Sequence, residues 1–531
     1  MEKVSFIDNI FLKRWIPFAI IVALGLVLYF QDFFFNFSYL DDNNLILDNQ
    51  YFLANLANFL KSFLTDVFLI FNHSAFYYRP LLTISLMFDF QLGGTFPFMY
   101  HFTNVVLHIL SACLVFTFLK KLDYKKELSF LFSIIFLVHP VLTQTVAWIP
   151  GRNDSLLAVF VLSTCIFFIK YLQEEKRSNL VWSLIFFTLA LFTKESGICL
   201  LPVLFFYLFF IYRKKSKETK LTLNKFNFFF WSIWVVSFWA ILRYVTLKDS
   251  ASLALSEVLK SLYFNFPAVI QFVGKIFFPF NLSVLPIMQD TTFIYGLVSI
   301  ILLTTMLLLT KTKRWNFILF GFVWFFAFLL PSFIRPNSAL VADFIEHRVY
   351  VPIIGIFIIL LETNFVKNIN LKKKSTIIAV SSLILFFSII TFVHSRNFTN
   401  KLSFWQNAVQ NSPHYPLAHR NLGAIEYLDG NIDEAEKEYK IALELNPNEP
   451  MAHSNLGLVY AQQNKLAEAE EEYKKEIEIN PNYDNVYYNL GLLYWNEKRY
   501  DEAISNWKKT LEINPGYAVD PQIFKILQSI E

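Results

Sequence analysis

YHFTNVVLHILSACLVFTFL, residues 100–119, carries no Asp, Glu, Lys or Arg. As a helix, a stretch of that length covers about 30 Å, the hydrocarbon thickness of a bilayer. Lys120 and Lys121 follow at once, the mark of a span leaving lipid on the cytoplasmic side. Ten further stretches read the same way, near 15–30, 127–146, 154–170, 180–195, 197–212, 227–246, 292–310, 315–333, 348–366 and 375–394. The expected fold is all-α, a polytopic bundle of about eleven spans.

Composition agrees. Of 531 residues, 55% are hydrophobic and 17% charged, where a soluble domain has roughly 45–50% and 25%. One water-soluble globule is thereby excluded. Cys113, Cys165 and Cys199 all lie in apolar runs, so neither a disulfide framework nor a cysteine-based zinc site can be built.

Orientation follows from the basic residues. Clusters at Lys120–Lys126, Lys170–Arg177, Arg213–Lys225, Lys311–Arg314 and Lys367–Lys374 share the cytoplasmic side if the N-terminus is inside and residues 80–92 and 262–280 lie in the interface without crossing. Trp15–Phe30, with Lys13 and Arg14 before it and no small-residue cleavage site after it, reads as a retained anchor. The outer face then collects residues 31–99, 139–153, 193–197, 247–291 and 334–347.

The last 131 residues have another solvent. Residues 401–531 hold 12 Lys and Arg against 21 Asp and Glu, a balance that repels nucleic acid. Asn-Leu-Gly recurs at 421–423, 455–457 and 489–491, in step with Ala435, Ala469 and Ala503, with Tyr439, Tyr473 and Trp507, and with Asn-Pro at 446–447, 480–481 and 514–515. This 34-residue period resembles the tetratricopeptide repeat, an α-solenoid whose groove takes a protein or peptide. The expected domains are a membrane domain over 1–395 with an acidic first outer loop (31–99), and a repeat domain over 396–531. The latter divides into a half repeat at 401–413, repeats near 414–447, 448–481 and 482–515, and a capping helix at 518–531.

The residues able to do chemistry gather in the outer loops. Asp41 and Asp42 are adjacent carboxylates that lipid would penalise; each can accept a proton from a hydroxyl, and together they could hold a divalent cation. No other metal site is expected. The cations on the same side are Arg348, His347, Arg79, Arg152 and Lys194, of which Arg348 is the first choice for an anion because its guanidinium forks onto phosphate oxygens. Glu346 is placed to orient Arg348, and Glu195 to pair with Lys194. Asp154 either orients a substrate or caps the helix beginning at Ser155. His101, His108 and His139 read as buried hydrogen-bonding residues. There is no phosphate-binding glycine loop and no Gly-x-Ser-x-Gly, so activation must arrive with the donor.

FSYLDDNNLILDN (37–49), YRPL (78–81), HFTNVVLH (101–108), HPVLTQTVAWIPGRND (139–154), TKESG (193–197) and EHRVYVP (346–352) occur in this order before the repeats. Together they resemble the transmembrane-and-tetratricopeptide-repeat-containing (TMTC-type) proteins, which are similar to protein O-mannosyltransferases of the GT-C fold. The resemblance implies transfer of a mannose-like hexose from a polyprenyl- or dolichyl-phosphate carrier to a hydroxyl, on protein Ser or Thr, at the extracytoplasmic face. In that family the acidic pair after the first span is catalytic, which carries over to Asp41 and Asp42. Where the family commonly has an acidic residue this chain has Gln144. The host membrane is the plasma membrane in a prokaryote and the endoplasmic reticulum in a eukaryote. Two other classes compete: a lipid-linked-sugar transporter or flippase, and a membrane-anchored repeat scaffold.

Overall fold

The computed structural model describes residues 10–11, 13–68, 77–216, 222–248, 254–334, 344 and 346–530. Among them every regular element is helical. The chain divides into two compact units, Met1–Phe404 and Trp405–Glu531.

In the first unit the principal helices are α1 (Ile16–Leu28), α2 (Pro80–Gly93), α3 (Phe98–Lys121), α4 (Lys126–Val138), α5 (Thr143–Ala147), α6 (Arg152–Glu174), α7 (Arg177–Thr193) and α8 (Leu200–Phe206). There follow α9 (Asn227–Leu247), α10 (Leu255–Asn265), α11 (Ala268–Phe277), α12 (Ile294–Leu308), α13 (Trp315–Leu329), α14 (Ile353–Leu361) and α15 (Lys374–Ser395). Among the described residues six helical stretches are long and apolar enough to cross a bilayer, Phe98–Lys121, Ile149–Glu174, Glu195–Ser216, Leu223–Leu247, Trp315–Phe333 and Lys374–Phe398. A seventh forms if Lys126–Val138 and Pro140–Ala147, bent by 54°, count as one. This unit is a membrane domain.

The expected count of eleven is not reached by length. Residues 15–30, 180–195 and 292–310 give apolar helices of 13, 17 and 15 residues, and the longest helix within 348–366 is α14, nine residues long. A helix that short covers about half of the hydrocarbon. Burial sorts the spans by position: α6 lies inside with 83% of its apolar window buried, while the windows containing α9 and α15 are 17% and 11% buried. Gly321 of α13 and Gly355 of α14 meet backbone to backbone. A Cβ at Gly321 would stand 2.6 Å from the Gly355 carbonyl oxygen, the close approach that small residues permit between membrane helices.

The second unit pairs helices Pro416–Leu428 with Ile432–Leu445, Ala452–Gln462 with Leu466–Ile479, and Asp484–Asn496 with Tyr500–Ile513, before Pro521–Ile530. The repeat logic is steric. A Cβ at Gly423 or Gly457 would strike the ring of Tyr439 or Tyr473 at 2.9 or 2.6 Å, so the small residue is what lets each aromatic ring seal its helix pair. Glu476, standing where the first repeat has Ala442, accepts from the Met451 and Ser454 amides at 2.9 and 3.3 Å, a carboxylate at a helix N-terminus.

Candidate functional site

The acidic loop after α1 is shaped by its own side chains. Asp42 is buried, and its carboxylate accepts from the Ser38 amide (2.6 Å), the Ser38 hydroxyl (2.9 Å) and the Asn43 amide (3.0 Å). Within this clasp Tyr39 and Asp41 take positive φ, 60° and 66°, conformations that persist only when neighbours enforce them. The Trp148 indole N–H donates to the Leu40 carbonyl at 3.0 Å. Burial pushes the Asp42 carboxyl up to about 7, against the Ser38 hydrogen bonds and with help from the charge of Asp41.

Asp41 borders a cavity of ≈ 840 Å³ that is also lined by Arg79, Asp154, Lys194, Glu195, His347 and Arg348. Residues far apart in the chain are thus brought to one chamber. Asp154 sits in the first turn of α6 and binds Lys194 Nζ through both oxygens at 2.9 Å, with His347 Nε2 3.6 Å from its Oδ2. It therefore serves as an ion-pair partner inside the helix; the N-cap is Gly151. Lys194 is held below the usual lysine range, first by burial and further by the charges of Arg79 and Arg348, with Asp154 opposing.

Partners differ from those expected. Lys194 pairs with Asp154, whereas Glu195 takes Arg79 (3.4 Å) and the Tyr78 amide (3.2 Å). Residues 195–199 turn into a 3₁₀ helix directly after Lys194, which sends consecutive side chains to different neighbours. Glu346 does not reach Arg348. It is fully buried, bound to Lys275 Nζ at 2.7 Å and to the Ser283 amide at 3.1 Å, so it fixes the 346–349 turn from behind while Arg348 donates to the Ser332 carbonyl at 3.4 Å. The amide of His347 donates to Gln144 Oε1 at 3.2 Å; a neutral Gln here serves as acceptor and, through its own amide, as donor to Val284.

Arg152 lies outside the cavity lining. Its guanidinium is buried between Asp89 (2.5 Å), Asn104 Oδ1 (2.8 Å) and the Tyr100 carbonyl (2.7 Å), which leaves it no face for a substrate. Asp42, with three donors around its carboxylate, likewise lies outside the cavity lining. Among the described residues no group of three His, Cys, Asp or Glu could hold a metal. His108 bonds Tyr350 and the Leu137 carbonyl, and His139 bonds Ile276 and Val141, as buried structural histidines do. His101 is buried, and among the described residues its ring nitrogens have no hydrogen-bond partner.

The lining also includes residues that the sequence did not single out, among them Trp239 and Arg243 of α9. Arg243 is the one charged residue in that 21-residue helix. An ionisable side chain in an apolar span is itself a functional signal.

Residues 81–239 match the family model described as dolichyl-phosphate-mannose-protein mannosyltransferase, a stretch that includes Asp154 and Lys194 but neither Asp41 nor Arg348. Residues 404–450, 429–484 and 485–517 match tetratricopeptide repeats. Protein O-mannosyl-transferase TMTC2 of Mus musculus is 32% identical over 228 residues, 41% of this chain and 27% of that protein. This chain is similar to the TMTC-type proteins over part of its length. The Homo sapiens TMTC2 is 31% identical over 38% of this chain and 25% of its own length, and a Caenorhabditis elegans protein O-mannosyl-transferase is 24% identical over 69% of this chain and 54% of its own. The chain thus matches about a quarter of the length of both TMTC2 proteins. Among solved structures it is similar to the first repeat domain of Spaghetti (RPAP3) bound to an HSP90 peptide, 23% identical over 22% of this chain and 89% of that one, TM-score 0.20. It is also similar to MamA, 27% identical over 23% and 69%, TM-score 0.20.

Proposed function

We propose that the protein is a membrane mannosyltransferase that moves a hexose from a polyprenyl- or dolichyl-phosphate carrier to the hydroxyl of a protein acceptor. One observation carries this reading: Asp41 and the cationic set Arg79, Lys194, His347 and Arg348 line a single chamber.

The chemistry needs two unlike walls. On one, Asp41 takes the proton of the acceptor hydroxyl as its oxygen attacks the anomeric carbon of the donor. On the other, the bond from that carbon to the phosphate oxygen breaks, and the charge on the departing lipid phosphate is met by Arg348 with Lys194 and Arg79. Asp42 acts through the loop: by gripping Ser38 it holds Asp41 in its left-handed conformation. The steps above are written without a metal at the aspartates.

The basic clusters support a cytoplasmic N-terminus and an extracytoplasmic repeat unit. There the solenoid raises the local concentration of a protein acceptor. Nothing in the charge pattern favours nucleic acid.

The test supplies membranes holding the protein with a labelled polyprenyl-phosphate mannose and counts labelled acceptor. Asp41→Asn is expected to lower turnover by about 100-fold or more. Full transfer by Asp41→Asn, at equal protein level, removes the base assignment; no transfer by the unaltered chain removes the activity.

A further inference from the structure

The chamber has one wall that the transfer chemistry above does not use. Trp239 and Arg243 lie one turn apart on α9 and both face the cavity. Trp239 is 8% exposed, and among the described residues its indole N–H has no acceptor and the Nε–H of Arg243 has none either. The guanidinium carbon of Arg243 stands 5.9 Å from the Trp239 ring, so the two donors are neighbours. Arg79 and Lys194 each face a carboxylate, but among the described residues Arg243 makes no ion pair.

Buried donors without acceptors are costly to keep. A pair of them, one permanently charged, on the rim of a chamber is matched by an anionic oxygen. The other side of α9 tells where that anion is attached. Trp234, Phe238 and Ile241 are each more than half exposed, at 65, 57 and 62%, and none of them lines the cavity. The helix therefore separates the chamber from lipid by its own width.

We propose that Arg243 and Trp239 are the docking site for the phosphate of a polyprenyl phosphate whose hydrocarbon lies along the outer face of α9. The inference rests on the mannosyltransferase reading for the identity of the carrier. Arg243 is on this view a positioning residue for the donor: it takes the phosphate oxygen at the lipid-side rim, with the Trp239 N–H as second donor, and leaves the leaving-group charge to Arg348.

The experiment uses the full chain in phosphatidylcholine nanodiscs and a photoreactive polyprenyl phosphate that bears no sugar, so that labelling does not depend on turnover. Polyprenyl phosphate, phosphatidic acid and inorganic phosphate are added as competitors. The wild-type chain is expected to take the label and to lose it to polyprenyl phosphate alone. Arg243→Gln should weaken labelling by about tenfold or more, and Trp239→Phe, which removes only the N–H, by about fivefold. Arg243→Lys keeps the charge and should stay between wild type and Gln. Undiminished labelling in both Arg243→Gln and Trp239→Phe overturns the docking site and leaves the transferase reading standing. Equal competition by phosphatidic acid or inorganic phosphate overturns the assignment to a polyprenyl carrier. Label lost in Arg243→Gln, in a wild-type chain that transfers no mannose, upholds the site and removes the transferase reading; a wild-type chain that takes no label overturns the docking site.

Discussion

The ring of Trp148 packs against the imidazole of His347 at a centroid distance of 5.5 Å, while its N–H holds the Leu40 carbonyl next to Asp41. One side chain therefore ties the acidic loop to the cationic turn. Trp148→Phe keeps the ring contact and drops the hydrogen bond; Trp148→Ala drops both. We expect kcat to fall about tenfold in the Phe variant, from loss of Asp41 placement, and further in the Ala variant. The donor KM should rise only in the latter. Steady-state transfer kinetics on the two variants check this.

The acidic loop also sets a pH dependence. With its carboxyl pushed up to about 7, folded Asp42 retains a proton that the unfolded chain releases near pH 4. Stability contributed by this site is complete below about pH 4 and declines as pH rises toward 7. Activity should move the other way. Ionised Asp42 grips Ser38 more firmly and so holds Asp41 in place, and kcat/KM should climb through pH 7. In Asp42→Asn that limb should be absent from the pH–rate profile.

Arg152 tests the difference between a ligand-binding cation and a buried lock. Removing it strands Asp89, 4% exposed, so Arg152→Ala should cost about 3–5 kcal/mol. The expected result is poor accumulation of the protein in membranes. Replacing both partners, Arg152→Met with Asp89→Leu, should recover accumulation, and the donor KM of the recovered protein should be close to wild type. A raised KM at normal accumulation would instead make Arg152 a substrate contact.

In the repeat unit His453 Nδ1 meets Glu472 Oε2 at 2.5 Å and its Nε2 meets the Pro447 carbonyl at 3.0 Å. Burial works against the charged imidazole, but these bonds outweigh it and the His453 pKa is raised. Glu472 is lowered: burial resists, while His453 and Lys475 prevail. The histidine's contribution is full below its unfolded value near 6.5 and is lost as pH rises through the raised one. The glutamate's is full above about 4.5 and is lost in acid. Amide exchange of residues 452–479 in the full chain should be slowest between about pH 5 and 6.5, after correction for intrinsic rates. His453→Gln should abolish the rise on the alkaline side.

Much of this architecture could be read from residues alone. The 34-residue step from Gly423 to Gly457 to Gly491 fixes helix pairs because each glycine must admit a ring. Apolar length marks the long spans because lipid leaves a helix no other way to satisfy its backbone. Pairing was harder to read. That Lys194 turns to Asp154 and Glu346 to Lys275 depends on a 3₁₀ turn and on a helix from elsewhere in the chain, and neither has a local signature. Asp41 and Asp42 look alike in sequence, yet one borders the chamber and the other serves the loop, whose turn takes positive φ at both Tyr39 and Asp41. Arg243 was legible as a lone charge in an apolar helix; its neighbour Trp239 was one aromatic among many.

The contact between Gly321 and Gly355 has a bearing on motion. Trp324 of α13 also donates to the Val351 carbonyl at 2.9 Å, so these helices are joined at two levels. Ser332 follows one of them and Arg348 precedes the other. Any breathing of the chamber that displaces α13 must carry the guanidinium with it as a single plate, and the freedom to widen or narrow the gap above Asp41 falls to the opposing loop.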